Sequence, residues 1–181
     1  MINIVLLADG FEEIEAITVI DVLRRADVPV QTVTINNSRA VKGAHEITIQ
    51  ADIFISDIDA SVINYIILPG GGKGVENLYR DNRVKSLLLG HEGKNTAAIC
   101  AAPSILAKWG YLKGLKATSY PSFSRVLLDG EAEYVEDMVV QDKNLITSRG
   151  PATAIDFALA IVQKIKGEKV AEDISQKMLV S

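Results

Sequence analysis

The chain has 181 residues, of which 48 % are hydrophobic and 23 % are charged, and its formal net charge is -4. A chain of this length and composition fits one compact core, so we expect a single domain over residues 1–181. The negative net charge, with lysines and arginines scattered along the chain, argues against a nucleic-acid partner.

The first residues show no basic segment followed by a long apolar region and a cleavage pattern, and no apolar run approaches the ~20 residues of a membrane span. We therefore expect a cytoplasmic protein that has no membrane partner. A single cysteine cannot form an intramolecular disulfide. The two histidines, His45 and His91, lie far apart in the sequence, so together with this cysteine they make a poor transition-metal site. Neither a metal nor another cofactor is therefore expected.

The apolar pattern predicts alternating strands and helices. A strand over 2–8 is almost continuously apolar, which is typical of a parallel strand covered on both faces, and a helix over 12–26 follows it. The further elements predicted in the first half are a strand over 28–35, a hairpin over 41–50, an irregular segment over 51–63, a strand over 64–68 and helices over 75–79 and 84–89.

The second half continues the alternation. Its predicted elements are a strand that runs into Cys100, a helix over 103–109, a strand over 116–121, a helix over 124–128, a hairpin over 134–141 and 145–148, a helix over 153–165 and a short amphipathic segment at the C-terminus. Strands that alternate with helices favour an α/β fold with a doubly wound, mostly parallel sheet between two helical layers.

Cys100 lies where a strand of small and β-branched residues gives way to a helix that begins near Pro103. Backbone N–H groups at a helix start favour the thiolate, so we expect the pKa of Cys100 to lie well below the ordinary value of about 8.5. The alternative is that Cys100 is a buried small hydrophobic residue. Its place at the carboxyl end of a strand, where open α/β sheets bind ligands, favours the reactive role.

Glu15 falls on the apolar arc of the first helix, together with Val19 and Leu23, when the helix is projected at 100° per residue. An acid on this face would be buried near the top of the sheet, and burial would raise its pKa. The alternative is that Glu15 lies at the edge of the arc and only supports the helix dipole. For His45 the local sequence favours an exposed position in the hairpin.

The glycine-rich segment 69–74 follows a strand and can present backbone N–H groups as an anion-binding nest. Its Gly72-Lys73 pair precedes Gly74 instead of Ser or Thr, so it is not a Walker loop, and a dinucleotide fingerprint lacks its third glycine. Two interpretations stay open: a flexible turn, or a source of hydrogen-bond donors for an oxyanion near Cys100.

Five ordered segments together resemble the ThiJ/PfpI superfamily, and most of all the branch of the Parkinsonism-associated deglycase and its bacterial relatives. They read ADGFEEIE over 8–15, DVLRR over 21–25, LPGG over 68–71, AAICAAP over 97–103 and TSRGP over 147–151. The resemblance covers essentially the whole chain. It implies a flavodoxin-like sandwich and a homodimer, whose expected contacts are the first helix and the hairpin near His45.

The resemblance also implies roles for particular residues. Cys100 would be the nucleophile at a strand-to-helix elbow, and Glu15 its protonated neighbour. The backbone N–H groups of Gly71 and Ala101 would stabilise an oxyanion. Gly70 and Tyr120 complete the predicted oxyanion and substrate-binding set.

Three departures from the family pattern limit these implications. Protease-like members carry a histidine directly after the cysteine, where this chain has Ala101, so a Cys-His mechanism lacks its general base. In the deglycase branch a histidine often occurs where this chain has Tyr120, which can donate a hydrogen bond but is no base near neutral pH. His45 lies about where that branch has an arginine that reaches the partner subunit's site.

By this resemblance the chain is a cofactor-independent glyoxalase or deglycase-like enzyme for small 2-oxoaldehydes such as methylglyoxal. The alternative is a redox-sensing or chaperone-like stress protein whose Cys100 is oxidised to a sulfinate. A cysteine peptidase is a weaker third alternative. The first two functions use the same pair, Cys100 and Glu15, so the sequence does not separate them.

Overall fold

A computed structural model describes residues 1–180. The strands are β1 (Ile2–Leu7), β2 (Val30–Thr34), β3 (Ala40–Lys42), β4 (Thr48–Gln50), β5 (Ile53–Phe54), β6 (Ile63–Leu68), β7 (Thr96–Ile99), β8 (Lys116–Ala117), β9 (Glu133–Tyr134), β10 (Val139–Asp142) and β11 (Leu145–Ser148). The helices are α1 (Glu13–Arg25), α2 (Gly72–Arg80), α3 (Asn82–Leu89), α4 (Pro103–Lys108), α5 (Ser124–Asp129), α6 (Ala154–Lys166) and α7 (Glu168–Lys177).

Seven strands form the main sheet, in the order β10-β11-β7-β6-β1-β2-β5. Only β10 runs antiparallel to its neighbour; the other neighbours pair in parallel. The central strands β2-β1-β6-β7-β11 follow the 2-1-3-4-5 order of flavodoxin-like folds. The predicted α/β fold with a mostly parallel sheet is therefore confirmed.

Helices cover both faces of this sheet. Along β1, Val5 and Leu7 belong to one apolar cluster with α1, α6 and α7, while Ile4 and Leu6 belong to a second cluster with α2, α3, α4 and α5. Side chains that alternate along a strand thus all meet apolar neighbours, which explains the continuous apolar pattern of the first strand. No helix in residues 1–180 combines the length and the apolar character that crossing a membrane requires.

Several predicted elements have different bounds in the structure. The segment predicted to be irregular contains β5, which pairs with β2 at the edge of the sheet. The helix predicted over 84–89 is α3, which begins earlier, at Asn82, because the Asp81 side chain accepts a hydrogen bond from the Arg83 N–H (2.8 Å) and caps it. The strand predicted over 116–121 is only β8, and Tyr134, expected in the hairpin, pairs with it as part of β9.

The sheet topology determines where a ligand can bind. From β1 the chain passes to β2 on one side, and β6 is added on the other side, so the strand order reverses between β1 and β6. In open α/β sheets the ligand crevice lies outside the carboxyl ends of the strands at such a reversal. The loops that leave β1 and β6 meet there, since the Glu12 N–H donates to the Gly70 carbonyl (3.0 Å).

Candidate active site

Cys100 occupies the sharp turn between β7 and α4. Its φ is +63°, in the left-handed region that residues with a side chain rarely adopt. The Cys100 N–H donates to the Ser148 carbonyl (2.9 Å), and the Cys100 carbonyl accepts from the Tyr120 N–H (2.9 Å). Two neighbouring segments therefore hold the strained turn in place, as expected of a nucleophile elbow.

Glu15 is fully buried in the first turn of α1, with 0 % of its surface exposed. Its Oε2 accepts a hydrogen bond from the Gly70 N–H (2.7 Å), while its buried Oε1 has no partner within residues 1–180. A Cβ added to Gly70 would lie 2.6 Å from Glu15 Oε2 and 3.0 Å from Cys100 Sγ. The carboxyl and the sulfur thus flank the same glycine, whose missing side chain leaves room for both.

Burial raises the pKa of the Glu15 carboxyl to about 7. The hydrogen bond from the Gly70 N–H and the nearby Cys100 thiol oppose this rise in pKa, and the negative charge of Glu12 adds to it. The Glu15 carboxyl can therefore hold or release a proton near neutral pH. The alternative role, an acid at the edge of the apolar arc that only supports the helix dipole, does not fit its complete burial.

The prediction that the pKa of Cys100 is lowered is wrong when Glu15 beside it is ionised. Burial, followed by the negative charge and the hydrogen bond of Glu15, raises the pKa of the Cys100 thiol, whereas the N–H groups of Ala101 and Gly71 lower it. Helix α4 has only six residues, so its dipole is outweighed. Two acids so close titrate as a pair: the first proton leaves near neutral pH and the second at much higher pH.

The backbone N–H groups of Gly71 and Ala101 lie near the Cys100 sulfur and lower the pKa of its thiol. Gly71 has a φ of +92°, and a Cβ on it would lie 2.6 Å from the Glu12 nitrogen. Both the backbone conformation and the close approach of the β1 loop therefore require glycine at this position. Such a pair of donors can stabilise negative charge on an oxygen that forms next to the sulfur. Gly70, predicted among these donors, instead directs its N–H to Glu15.

Residues 3–164 match the profile of the DJ-1/PfpI family. The chain belongs to the DJ-1/PfpI family. It is 40% identical to Protein dj-1beta of Drosophila melanogaster over 181 residues, which is 98% of this chain and 96% of that protein. It is also 31% identical over 169 residues to the protein named glutathione-independent glyoxalase DJ-1 of Schizosaccharomyces pombe, with 88% of each chain covered.

Solved DJ-1 structures share the fold described above. The crystal structure of Drosophila melanogaster DJ-1beta superposes with a TM-score of 0.94 at 40% identity, and covers 99% of this chain and 97% of that chain. The Schizosaccharomyces pombe DJ-1 structure superposes with a TM-score of 0.93 at 26% identity over 100% of both chains. The predicted membership in the ThiJ/PfpI superfamily is confirmed.

Tyr120 stands in the loop after β8, where the deglycase branch of the DJ-1/PfpI family often has a histidine. Its main chain is tied to Cys100 by the hydrogen bond described above, and its exposed ring lies over Gly150, where an added Cβ would be 3.4 Å from it. Its hydroxyl makes no hydrogen bond within the described part of the chain. The structure therefore places the Tyr120 backbone at the site and does not bring its hydroxyl into contact with Cys100 or Glu15.

His45 is exposed, as predicted, but it also makes a contact that the sequence did not reveal. Glu13 is buried, and its Oε1 accepts the N–H groups of His45 (2.7 Å) and Ile47 (3.4 Å). Glu13 thereby anchors the hairpin loop to the start of α1. Nothing local signals this, because the partners lie more than 30 residues further along the chain.

The raised pKa of Glu15 is expected to make the protein less stable as the pH rises. The folded pKa of about 7 exceeds the ordinary 4.5, so the contribution is complete below pH 4.5 and is lost as the pH rises through 7. At 1.36 kcal/mol per pH unit the loss is about 3 kcal/mol. Glu15→Gln has no such proton, so its free energy of unfolding in urea should lack this decline.

The matched control for this experiment is Asp21→Asn. Asp21 is an exposed acid of the same helix that pairs with Arg25 (2.6 Å), so its removal should leave the pH profile of the wild type unchanged. Unfolding is compared at several values between about pH 5 and 8, the range that spans the folded pKa of Glu15. Parallel profiles for the wild type and Glu15→Gln would contradict the raised pKa.

Proposed function

We propose that this chain is a cofactor-independent glyoxalase or deglycase-like enzyme that acts on small 2-oxoaldehydes of the methylglyoxal class. The observation that carries the proposal is a fully buried Glu15, with its pKa raised to about 7, that lies beside Cys100 across Gly70. The name of the Schizosaccharomyces pombe relative, a glutathione-independent glyoxalase, supports the same class of reaction.

In the first step the Cys100 thiolate adds to the aldehyde carbon. A C–S bond forms, and the π electrons of the carbonyl move to its oxygen. The N–H groups of Gly71 and Ala101 stabilise that oxygen as its negative charge develops. The protonated Glu15 carboxyl then gives this oxygen its proton, which leaves Glu15 as a carboxylate, and the product is a hemithioacetal on Cys100.

In the second step Glu15 moves a proton between two carbons. As a carboxylate it takes the proton from the carbon bonded to sulfur, which gives an enediolate. The hydroxyl proton of the hemithioacetal passes to the enediolate oxygen, and Glu15 returns a proton to the former ketone carbon. The hemithioacetal thereby becomes a thioester of a 2-hydroxy acid. Water cleaves the thioester and restores the Cys100 thiol, so the sum of the steps is addition of one water without an oxidant or reductant.

The experiment is incubation of the purified protein with methylglyoxal in the absence of glutathione. We expect lactate to form over many turnovers per chain. In D2O, deuterium that Glu15 acquires by exchange with solvent should appear on the hydroxyl-bearing carbon, because the enediol regains its proton there. A product that stops at one adduct per Cys100 would overturn the proposal.

A second candidate function is a redox-sensing stress protein. It is favoured by the free Glu15 Oε1 next to a partly exposed Cys100. Oxidation of the thiolate by peroxide adds oxygen to the sulfur, and a protonated carboxyl can donate a hydrogen bond to the resulting sulfinate. Both candidates depend on the same two residues.

A cysteine peptidase receives no support from the positions of the two histidines. His45 lies against Glu13, with 3.0 Å between its Nδ1 and Glu13 Oε2, and the buried His91 lies 3.1 Å from the Asn95 carbonyl through its Nε2. Both therefore contact groups other than Cys100, and a Cys-His pair requires the imidazole within hydrogen-bond reach of the sulfur.

We further propose that the protein is a homodimer. Ile14 and Ile17 are exposed one turn apart on α1, and the exposed Ile47 approaches them through the contact of its N–H with Glu13. These exposed isoleucines on α1 and on the hairpin are apolar side chains that a second copy can cover. Sedimentation at micromolar concentration should give twice the 19.6 kDa chain mass, and a mass of one chain would contradict this.

A further inference from the structure

We propose that Glu12, Glu13 and His45 form a binding site for a divalent first-row metal ion such as Zn²⁺. One oxygen of each glutamate and one ring nitrogen of His45 lie within 4.8 Å of one another. His45 Nδ1 is 3.0 Å from Glu13 Oε2 and 3.7 Å from Glu12 Oε1. Tetrahedral Zn²⁺ with bonds of ~2.0–2.2 Å needs ligand atoms about 3.3–3.6 Å apart, which these two distances bracket.

The Glu13 carboxylate is already oriented for such a role. Its Oε1 accepts the N–H groups of His45 (2.7 Å) and Ile47 (3.4 Å), which leaves Oε2 directed at the imidazole. Outer hydrogen bonds of this kind orient carboxylates that bind metal ions. Because Glu13 is buried, its position is held by the surrounding protein and needs no ordering when an ion binds.

Glu12 and His45 supply the adjustable part of the site. The side chain of Glu12 is only 14 % exposed and does not cap α1, so the carboxylate that faces His45 is not needed to terminate the helix. In the single chain the His45 side chain is 70 % exposed, so the three side chains leave the fourth position on the ion to water or to a group of the second copy. Two carboxylates and one imidazole suit Zn²⁺ and its first-row neighbours better than the all-oxygen sites that Ca²⁺ prefers.

The test is a Zn²⁺ titration by calorimetry, with metal content measured after dialysis. It is done in Cys100→Ala, so that the only thiolate cannot bind the ion. We expect one Zn²⁺ per chain. Co²⁺ in its place should give visible d–d absorption of a site with nitrogen and oxygen ligands, without a sulfur charge-transfer band.

His45→Asn and Glu12→Gln, each combined with Cys100→Ala, should weaken Zn²⁺ binding by at least ~10-fold. Glu12→Gln keeps the backbone hydrogen bond to the Gly70 carbonyl and the N-terminus of α1. It therefore tests the Glu12 carboxylate as a metal ligand without disturbing the fold. The matched control is Glu46→Gln, an exposed acid of the same loop that pairs with Lys42, which should bind Zn²⁺ as before.

Three results would overturn the proposal. The first is the absence of Zn²⁺ uptake by Cys100→Ala, which would assign any uptake by the wild type to the sulfur. The second is unchanged affinity in either His45→Asn or Glu12→Gln. The third is an equal loss of affinity in Glu46→Gln, which would show that the ion responds only to the negative charge of this surface.

Discussion

Cys100→Ala is expected to lower methylglyoxal turnover at least about 10³-fold, the scale on which loss of a nucleophile acts in other enzymes. Without the sulfur no C–S bond forms, so the N–H groups of Gly71 and Ala101 have no developing oxyanion to stabilise. Cys100→Ser should lose nearly as much, because a hydroxyl ionises far less readily than a thiol. Lactate production measured by NMR reports both variants.

The alanine variant is a clean test because it retains the Cβ atom. The left-handed backbone at position 100 therefore has about the same steric cost in both proteins, and unfolding curves should confirm that the variant is folded. Asp21 is exposed on α1 and takes no part in the proposed steps, so Asp21→Asn should turn over substrate like the wild type. If Cys100→Ala kept turnover within a few-fold of the wild type, the proposed nucleophile would be wrong.

Glu15→Gln is expected to lower turnover by ~10²–10⁴-fold, the range typical of a general acid-base group. Glutamine keeps the shape, accepts the Gly70 N–H and donates to the sulfur, but it cannot carry a proton between two carbons. Glu15→Asp keeps the acid with a shorter reach, so it should retain more activity than Glu15→Gln. Asp21→Asn again serves as the matched control, because it removes an acid from the same helix.

The same variant separates the two candidate functions. If Cys100 is a redox sensor, Glu15→Gln should still react with peroxide and gain the mass of two oxygen atoms, with a less stable sulfinate. Intact-protein mass spectrometry after peroxide treatment measures this gain. Wild-type turnover that Glu15→Gln loses supports the enzyme, and retained oxidation without wild-type turnover supports the sensor. An unchanged variant in both assays would show that Glu15 has no part in the site.

The local sequence pattern was sufficient to predict the layered fold and the positions of Glu15 and Cys100. Apolar periodicity reports which element a segment forms and which face is buried, because both depend on neighbours within a few residues. The continuous run of β1 therefore indicated a doubly covered strand. The helical projection placed Glu15 on the buried face, and the small residues before Cys100 located the turn into α4.

Only the tertiary structure decided what surrounds those side chains. Gly70 is 55 residues from Glu15 in the chain, and His45 is 32 residues from Glu13, so no local pattern could show which N–H meets which carboxylate. The pKa of the Cys100 thiol likewise depends on residues that are distant in the chain. A helix start alone would lower it, but desolvation and the field of a carboxylate depend on distances between segments, and these are fixed only when the strands assemble.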